Sequence, residues 1–239
     1  VPKSVIVLGG GVIGCEFASV WKSFGAEVTI IEGLPHLIAL EDESSSKLLE
    51  RAFRKRGIKF ELGVRFKSHK VNGDSVTVTL EDGREFTADV LLVSVGRGPV
   101  TDGIGYQELG ITMDRGYITV DDHCRTNIPG VWAVGDIIPT LQLAHVGFQE
   151  GILVAETIAG LNPRPINYDG VPRVTYSEPE VASVGLSTKV AKERGYDVVE
   201  LDYILAGNGK AQILKTAGSI KLIAEKNGPV LGIHMVGAR

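Results

Sequence analysis

Gly9, Gly11 and Gly14 stand in the run Gly9-Gly10-Gly11-Val12-Ile13-Gly14, which satisfies the spacing G-x-G-x-x-G. The run follows Ser4 to Leu8 (SVIVL), a short β-branched apolar stretch. It leads into Val12, Ile13, Phe17, Ala18, Trp21 and Phe24, which recur at helical spacing. In a strand-turn-helix the first glycine permits the tight turn, the second lets the main chain approach a pyrophosphate, and the third lets the helix pack on the strand. The phosphate charge then rests on the unpaired N–H groups and positive dipole end of the helix. Glu32 stands 18 residues past Gly14, at the end of the apolar run Glu27 to Ile31, where an acid accepts hydrogen bonds from adenine-ribose hydroxyls. Its carboxylate would repel a 2′-phosphate, and no arginine stands among the next few residues. The set points to a pyrophosphate-containing dinucleotide and favours NAD. The plainer reading, a glycine-rich turn with a solvated glutamate, must treat the spacing and its strand-helix context as coincidence.

A second constellation runs through TNIPGVWAVGD, Thr126 to Asp136, followed by Leu143-Ala144-His145 at an expected helix start. An apolar strand ending in a Gly-Asp corner places one carboxylate at the carboxyl edge of a sheet, where open α/β sheets bind ligands. Such an acid can hold a sugar-like hydroxyl chain. By its chemistry alone, Asp136 serves equally as a helix cap or a turn residue. Cys15 and Cys124 lie too far apart in sequence for a disulfide framework or a metal cluster, so both read as reduced thiols, Cys15 on the buried helix and Cys124 in an extended connection, and no metal site is expected. His145 and His234 read as structural.

The elements that must position these groups continue the winding. Asp42 to Arg56 reads as an amphipathic helix and Ile58 to Leu62 as the next strand. The period then changes: Lys70 to Leu80 and Arg84 to Ala88 alternate around the hairpin signals Asn72-Gly73 and Asp82-Gly83. Asp89 to Val95 returns to a buried strand and ends at Gly96. Beyond Pro99 come Tyr117 to Val120, the strand Val131 to Val134 and a helix from about Ala144 to Ala159, too few elements to enclose a core of their own. From Pro172 onward short strands, one helix near Thr188 to Arg194, and a last strand pair joined at Asn227-Gly228 read as antiparallel α+β. A final strand with no covering helix after it leads to the expectation of a piece of a longer chain.

Composition narrows the partners. Of the 239 residues 44% are hydrophobic and 23% charged, as in soluble globular proteins. A net charge of −4 without a lysine or arginine run offers no footprint for nucleic acid or an anionic membrane. No stretch approaches the ~18 apolar residues of a membrane span and no signal peptide opens the chain, so a cytoplasmic location is expected.

The runs VIVLGGGVIGCE, LLVSVGRGP, TNIPGVWAVGD and LAHVGFQEG, with Glu32 between the first two, occur in the order and at the spacing of the flavin disulfide oxidoreductases. PRVTYSEPEVASVG looks like the opening of that family's dimerisation domain, so the resemblance covers essentially the whole chain. It implies an α/β fold in three parts: a Rossmann-like NAD-binding domain with an inserted antiparallel β meander over residues 1–100, the C-terminal half of a FAD-binding domain over 101–170, and a partial α+β interface (dimerisation) domain over 171–239. It implies that Gly9, Gly10, Gly11, Val12, Ile13 and Gly14 hold NAD together with Glu32. Glu16, on the first helix turn, would approach the nicotinamide carboxamide, and Gly96 would let the chain pass close to the nicotinamide half. Phe66 falls at the family's turn position near the adenine, although its residue type differs there. Asp136 would bind the ribityl chain of FAD, while Leu143, Ala144 and His145 would set backbone N–H groups near the flavin's pyrimidine edge. Gln142 replaces a methionine common at that point.

The family's chemistry runs from a dithiol substrate to a Cys-x4-Cys disulfide, then to FAD, then by hydride transfer to NAD, with a histidine base held by a glutamate. The resemblance places the disulfide and the first FAD-binding βαβ unit before Val1 and the His-Glu pair beyond Arg239, so no catalytic residue is assigned within the sequence and the chain alone is expected to be inactive. It further implies a homodimeric parent that serves the lipoyl domains of 2-oxo acid dehydrogenase complexes with NAD as acceptor. Relatives that use NADPH usually carry arginines where this chain has Gly33-Leu34-Pro35. Two alternatives stand beside this reading. One is a sibling NAD(P)H-linked flavoenzyme of the transhydrogenase or mercuric type, against which Glu32 and LAHVGFQEG lean; the other is a non-catalytic dinucleotide-binding module.

Overall fold

The computed structural model describes residues 1–238. They form two compact units, one made of Val1–Gly96 together with the segment from Pro172 onward, the other of Arg97–Val171.

In the first unit β1 (Ser4–Leu8) and β2 (Glu27–Ile31) pair in parallel, Ser4 opposite Glu27 and Leu8 opposite Ile31, around the intervening α1 (Val12–Ser23). α1 stops because Gly25 turns left-handed at φ 91°, with its N–H donating to the Lys22 carbonyl. α2 (Glu43–Lys55) starts at Asp42, whose carboxylate accepts from the Ser44 amide at 3.0 Å. β3 (Lys59–Glu61) extends the sheet beyond β2. β4 (Phe66–Asn72), β5 (Ser75–Leu80) and β6 (Glu85–Ala88) form the antiparallel meander, and its first strand begins at Phe66 rather than Lys70. β7 (Val90–Val93) pairs in parallel with β1, giving the order β3-β2-β1-β7. β1 is apolar from Val5 to Leu8 because both its faces are covered there: Val5 and Val7 pack with Ile30, Leu49 and Phe53, whereas Ile6 and Leu8 pack with Val78 and Leu80 of the meander.

The second unit follows next along the chain. There, β8 (Met113–Asp114) and β9 (Tyr117–Ile118) form a short hairpin, a 3-10 turn spans Gly135–Ile137, and α3 (Ala144–Ile158) is the single long helix. Two expectations fail in this unit. Val131 to Val134 is not a strand: its β pairing is the isolated Arg125–Trp132 bridge, and among the described residues no further strand pairs with it to propagate a ladder. Cys124 is not in an extended connection but turns left-handed at φ 60°.

β10 (Arg173–Thr175), β11 (Glu180–Gly185), α4 (Thr188–Glu193), β12 (Val198–Ile204), α5 (Gly209–Leu214), β13 (Ser219–Glu225) and β14 (Val230–Gly237) complete the first unit, with sheet order β10-β11-β14-β13-β12. α5 has too few residues for a readable period, and its signal is the cap: the Asn208 side chain accepts from the amides of Lys210 and Ala211. Polar bonds and a shared core fuse the closing segment to the opening one. Asp42 accepts from the Thr188 amide at 3.0 Å and pairs with Lys221 at 3.1 Å, and Glu41 pairs with Arg173 at 3.1 Å. Val181 and Val236 pack in the same cluster as Leu49 and Phe53. Among the described residues no helix is long and apolar enough to cross a membrane.

Candidate functional site

The carboxyl end of β1 and the start of α1 are held by contacts from main chain to main chain. Gly9 takes φ 105° and donates its N–H to the Ile31 carbonyl at 2.8 Å. A Cβ at Gly9 would overlap the Ser94 carbonyl, and one at Gly14 would overlap the Gly9 carbonyl, so neither position admits a side chain. Gly11 differs. It caps α1 at φ −71°, and nothing lies within 4 Å of where its Cβ would stand. No contact within the protein calls for glycine there, and the open space leaves the main chain accessible from outside, as a pyrophosphate site needs. α1 has no side-chain cap and no acid in its first turn, so no internal anion occupies the positive end of the helix. These features fit a dinucleotide.

Glu32 is drawn onto this loop. Its carboxylate accepts from the Gly10 amide at 2.5 Å and from the Leu34 amide at 2.7 Å. Gly10 is itself hemmed in, since a Cβ would come within 2.6 Å of Leu37 Cδ2 and 3.1 Å of Glu32 Cβ, and its carbonyl accepts from the Ile38 amide. The acid is therefore fixed beside the glycines, with lone pairs left for further donors. Val12 is partly exposed at the loop and Ile13 half-buried. Glu16 does not stand free: its Oε1 accepts from the Tyr176 amide at 2.8 Å, so the stretch after β10 reaches α1 just past the first turn. Gly96 takes φ 129°, open only to glycine. Phe66 opens β4, with its ring 6.2 Å from that of His69. Ser94 escaped the sequence reading. Its hydroxyl donates to the Leu8 and Gly9 carbonyls at 3.0 and 3.1 Å and closes the glycine loop from the β7 side. The signal was a lone hydroxyl within an apolar strand end.

In the second unit Asp136 occupies the 3-10 turn with its side chain more than half exposed. Arg97 stands 3.6 Å from that carboxylate and donates to the Gln142 carbonyl at 2.8 Å. Leu143 caps α3 without a side-chain bond, and Ala144 and His145 open the helix on its exposed side. The Gln142 side-chain nitrogen is buried with no hydrogen-bond partner. A carboxylate, an uncapped helix start and an orphaned buried donor fit a ligand rich in hydroxyl and carbonyl acceptors, as FAD is.

Neither cysteine is placed for redox work. Burial first, then the charges of Glu32 and Glu16, raise the Cys15 thiol far above its ordinary value. Burial, then Glu150 and Asp121, push Cys124 up to about 11. Both thiols therefore stay protonated near neutrality and inert. A maleimide dye at pH 8 should label neither in the folded protein and both after denaturation in guanidinium; rapid labelling of either thiol in the native state would contradict this.

Residues 1–151 match the family described as pyridine nucleotide-disulphide oxidoreductase, and residues 171–239 match its dimerisation domain. The chain belongs to the pyridine nucleotide-disulphide oxidoreductase family. Proteins of this family use FAD and a pyridine nucleotide. Among its curated members the dihydrolipoyl dehydrogenase of Cupriavidus necator is 42% identical over the whole of this chain, and that of Geobacillus stearothermophilus 39% identical over 99% of it. The chain spans about half the length of these relatives, 52% in each case. Among solved structures of the family, LpdA from Mycobacterium tuberculosis superposes with a TM-score of 0.91 at 31% identity, covering 98% of this chain and 52% of that one. The HOCl-induced flavoprotein disulfide reductase RclA of Escherichia coli also reaches 0.91, at 27% identity, with 99% of this chain and 55% of that one covered.

Proposed function

We propose that this chain is the NAD-binding portion of a dihydrolipoyl dehydrogenase, together with the trailing half of its FAD-binding domain and most of the sheet of its interface domain. The observation that carries the reading is the Glu32 carboxylate, pinned to the glycine loop by the Gly10 and Leu34 amides. Gly9 to Gly14 receive the pyrophosphate on the first-turn amides of α1, Glu32 accepts the adenine-ribose hydroxyls, and Glu16 and Gly96 lie toward the nicotinamide. Val12 and Ile13 carry two of those amides, and Phe66 lies toward the adenine. Asp136 accepts hydroxyls of the ribityl chain, with Leu143, Ala144 and His145 offering main-chain donors. Bound FAD supplies the relay of an electron pair from a dithiol to NAD. The parent is a cytoplasmic homodimer that oxidises dihydrolipoamide carried on the lipoyl domains of 2-oxo acid dehydrogenase complexes, and the chain alone does not turn over.

The role of Glu32 is tested by titrating the protein with NADH and NADPH and following nucleotide fluorescence. NADH should bind about tenfold or more tightly than NADPH, because a carboxylate facing a phosphate costs more than the 1.4 kcal/mol of one decade. Glu32→Ala should narrow that gap. Tighter binding of NADPH to the unaltered protein would overturn the assignment.

A further inference from the structure

Among the described residues Glu150 is the most deeply buried acid, and two of its three bonds reach the second unit's candidate site. It lies on the second turn of α3 with no exposed surface. Its Oε2 accepts from the Gly135 amide at 2.7 Å, while its Oε1 accepts from the Thr140 hydroxyl at 2.7 Å and from the Tyr168 hydroxyl at 3.1 Å. These three donors are neutral. A buried carboxylate held by neutral donors is a costly way to fill space. The acid must therefore be useful for where it holds its partners.

Those partners frame the site. Gly135, at φ 76°, opens the 3-10 turn whose next residue is Asp136. Thr140 sits in the stretch leading from that turn to Leu143, the cap of α3. One carboxylate thus ties together the turn that carries the acid and the strap that delivers the helix start. The turn also packs against α3, where a Cβ on Gly147 would lie 3.6 Å from the Gly135 Cα. Burial, with Glu150 beside it, raises the Tyr168 hydroxyl well above the ordinary tyrosine range, so that it remains a donor to the acid.

We propose that Glu150 is the positioning residue of the flavin site, holding Gly135 and Thr140 so that Asp136 and the first amides of α3 present themselves to one ligand. This rests on the reading of Asp136 as the ribityl-binding acid. The role belongs to hydrogen-bond acceptance rather than to charge. A glutamine can keep an acceptor toward the Gly135 amide while its NH2 group donates to the two hydroxyl oxygens, but leucine cannot accept at all.

The experiment uses the full-length protein that carries this segment, stripped of flavin, and measures FAD affinity by quenching of flavin fluorescence and stability by urea unfolding. Glu150→Leu should weaken FAD by about tenfold or more, the effect of stranding a buried donor. Glu150→Gln should stay within about twofold of the unaltered protein. Asp136→Ala should weaken FAD, and adding Glu150→Leu to it should cost much less than Glu150→Leu costs alone, because both act on one corner. Unchanged affinity in Glu150→Leu, or full additivity with Asp136→Ala, overturns the proposal, as does a loss in Glu150→Gln equal to that in Glu150→Leu. Should Glu150→Leu not fold, Glu150→Asp keeps the charge but is a methylene too short for Gly135; it should weaken FAD, and wild-type affinity there overturns the proposal. If Asp136→Ala binds FAD normally, the reading of Asp136 itself is what has failed.

Discussion

Asp42→Ala should lower folding stability by about 3–5 kcal/mol, seen as a fall in the urea midpoint at unchanged slope. The side chain does three jobs from a position only 3% exposed. It caps α2 through the Ser44 amide and hydroxyl, accepts from the Thr188 amide, and neutralises Lys221 at 3.1 Å. A cap alone is worth about 1 kcal/mol. The larger figure follows because Lys221, itself 7% exposed, would be left with Glu200 as its sole carboxylate partner among the described residues. An exposed pair such as Lys47 with Glu43, at helical i,i+4 spacing, should matter far less to stability when Lys47 is removed. A loss near 1 kcal/mol in Asp42→Ala would show that only the cap matters.

The same group sets an acid limit. Burial pushes the Asp42 carboxyl up, but the bonds from Ser44, the Thr188 amide and Lys221 outweigh it and hold the group well below the usual carboxylate range. Since its folded value is depressed, its contribution is complete above the ordinary aspartate value of about 3.9 and drains away as pH falls below it. Lys221 acts in the opposite direction. Burial lowers it, but Glu200 and Asp42 raise it above its ordinary value, so its share persists through neutrality and is lost only in strong alkali. Asp42→Asn should therefore flatten the acid limb of a stability-against-pH curve.

Gly14→Ala should lose NADH binding by about a hundredfold, the order attached to an ångström of misplacement, and lose about 1–3 kcal/mol of stability as well. Its Cβ has no room against the Gly9 carbonyl, so α1 must slide off β1 and carry its amides with it. Gly11→Ala is the informative contrast. The methyl group meets nothing in the protein and φ −71° suits alanine, so stability should hold, whereas the methyl intrudes where the pyrophosphate approaches and NADH affinity should fall. Wild-type NADH binding in Gly11→Ala would remove the pyrophosphate from that loop.

The first hundred residues were readable because period and punctuation agreed. Two-sided burial made β1 apolar from Val5 to Leu8 and filled the end of β2 with Ile30 and Ile31, and glycine or Asx-Gly turns punctuated the chain around them. The Asp42 cap was legible only as the start of a helix. Its tie to Lys221 spans 179 positions, and no local pattern announces a bond of that reach. Val131 to Val134 misled for a related reason: β propensity describes a side-chain surface, and a strand exists only where a neighbour takes up its N–H and C=O groups. In the candidate site the glycines and Glu32 could be found from spacing, because backbone freedom and charge are written in residue type. Ser94 and Glu150 could not, since each matters through the carbonyl or amide that it reaches.

The tie between Asp42 and Lys221 also has a temporal side. A ribosome has delivered the whole glycine-loop unit, with Glu41 and Asp42 in place, long before β10 brings Arg173 and β13 brings Lys221. Until then both acids remain hydrated at the mouth of a half-built cleft, and nothing attractive yet opposes the entropy of closing so long a loop. The opening segment can thus assemble its local strands early, while its seal waits for the residues from Arg173 onward. In the nascent protein the glycine loop precedes the clasp that locks its unit.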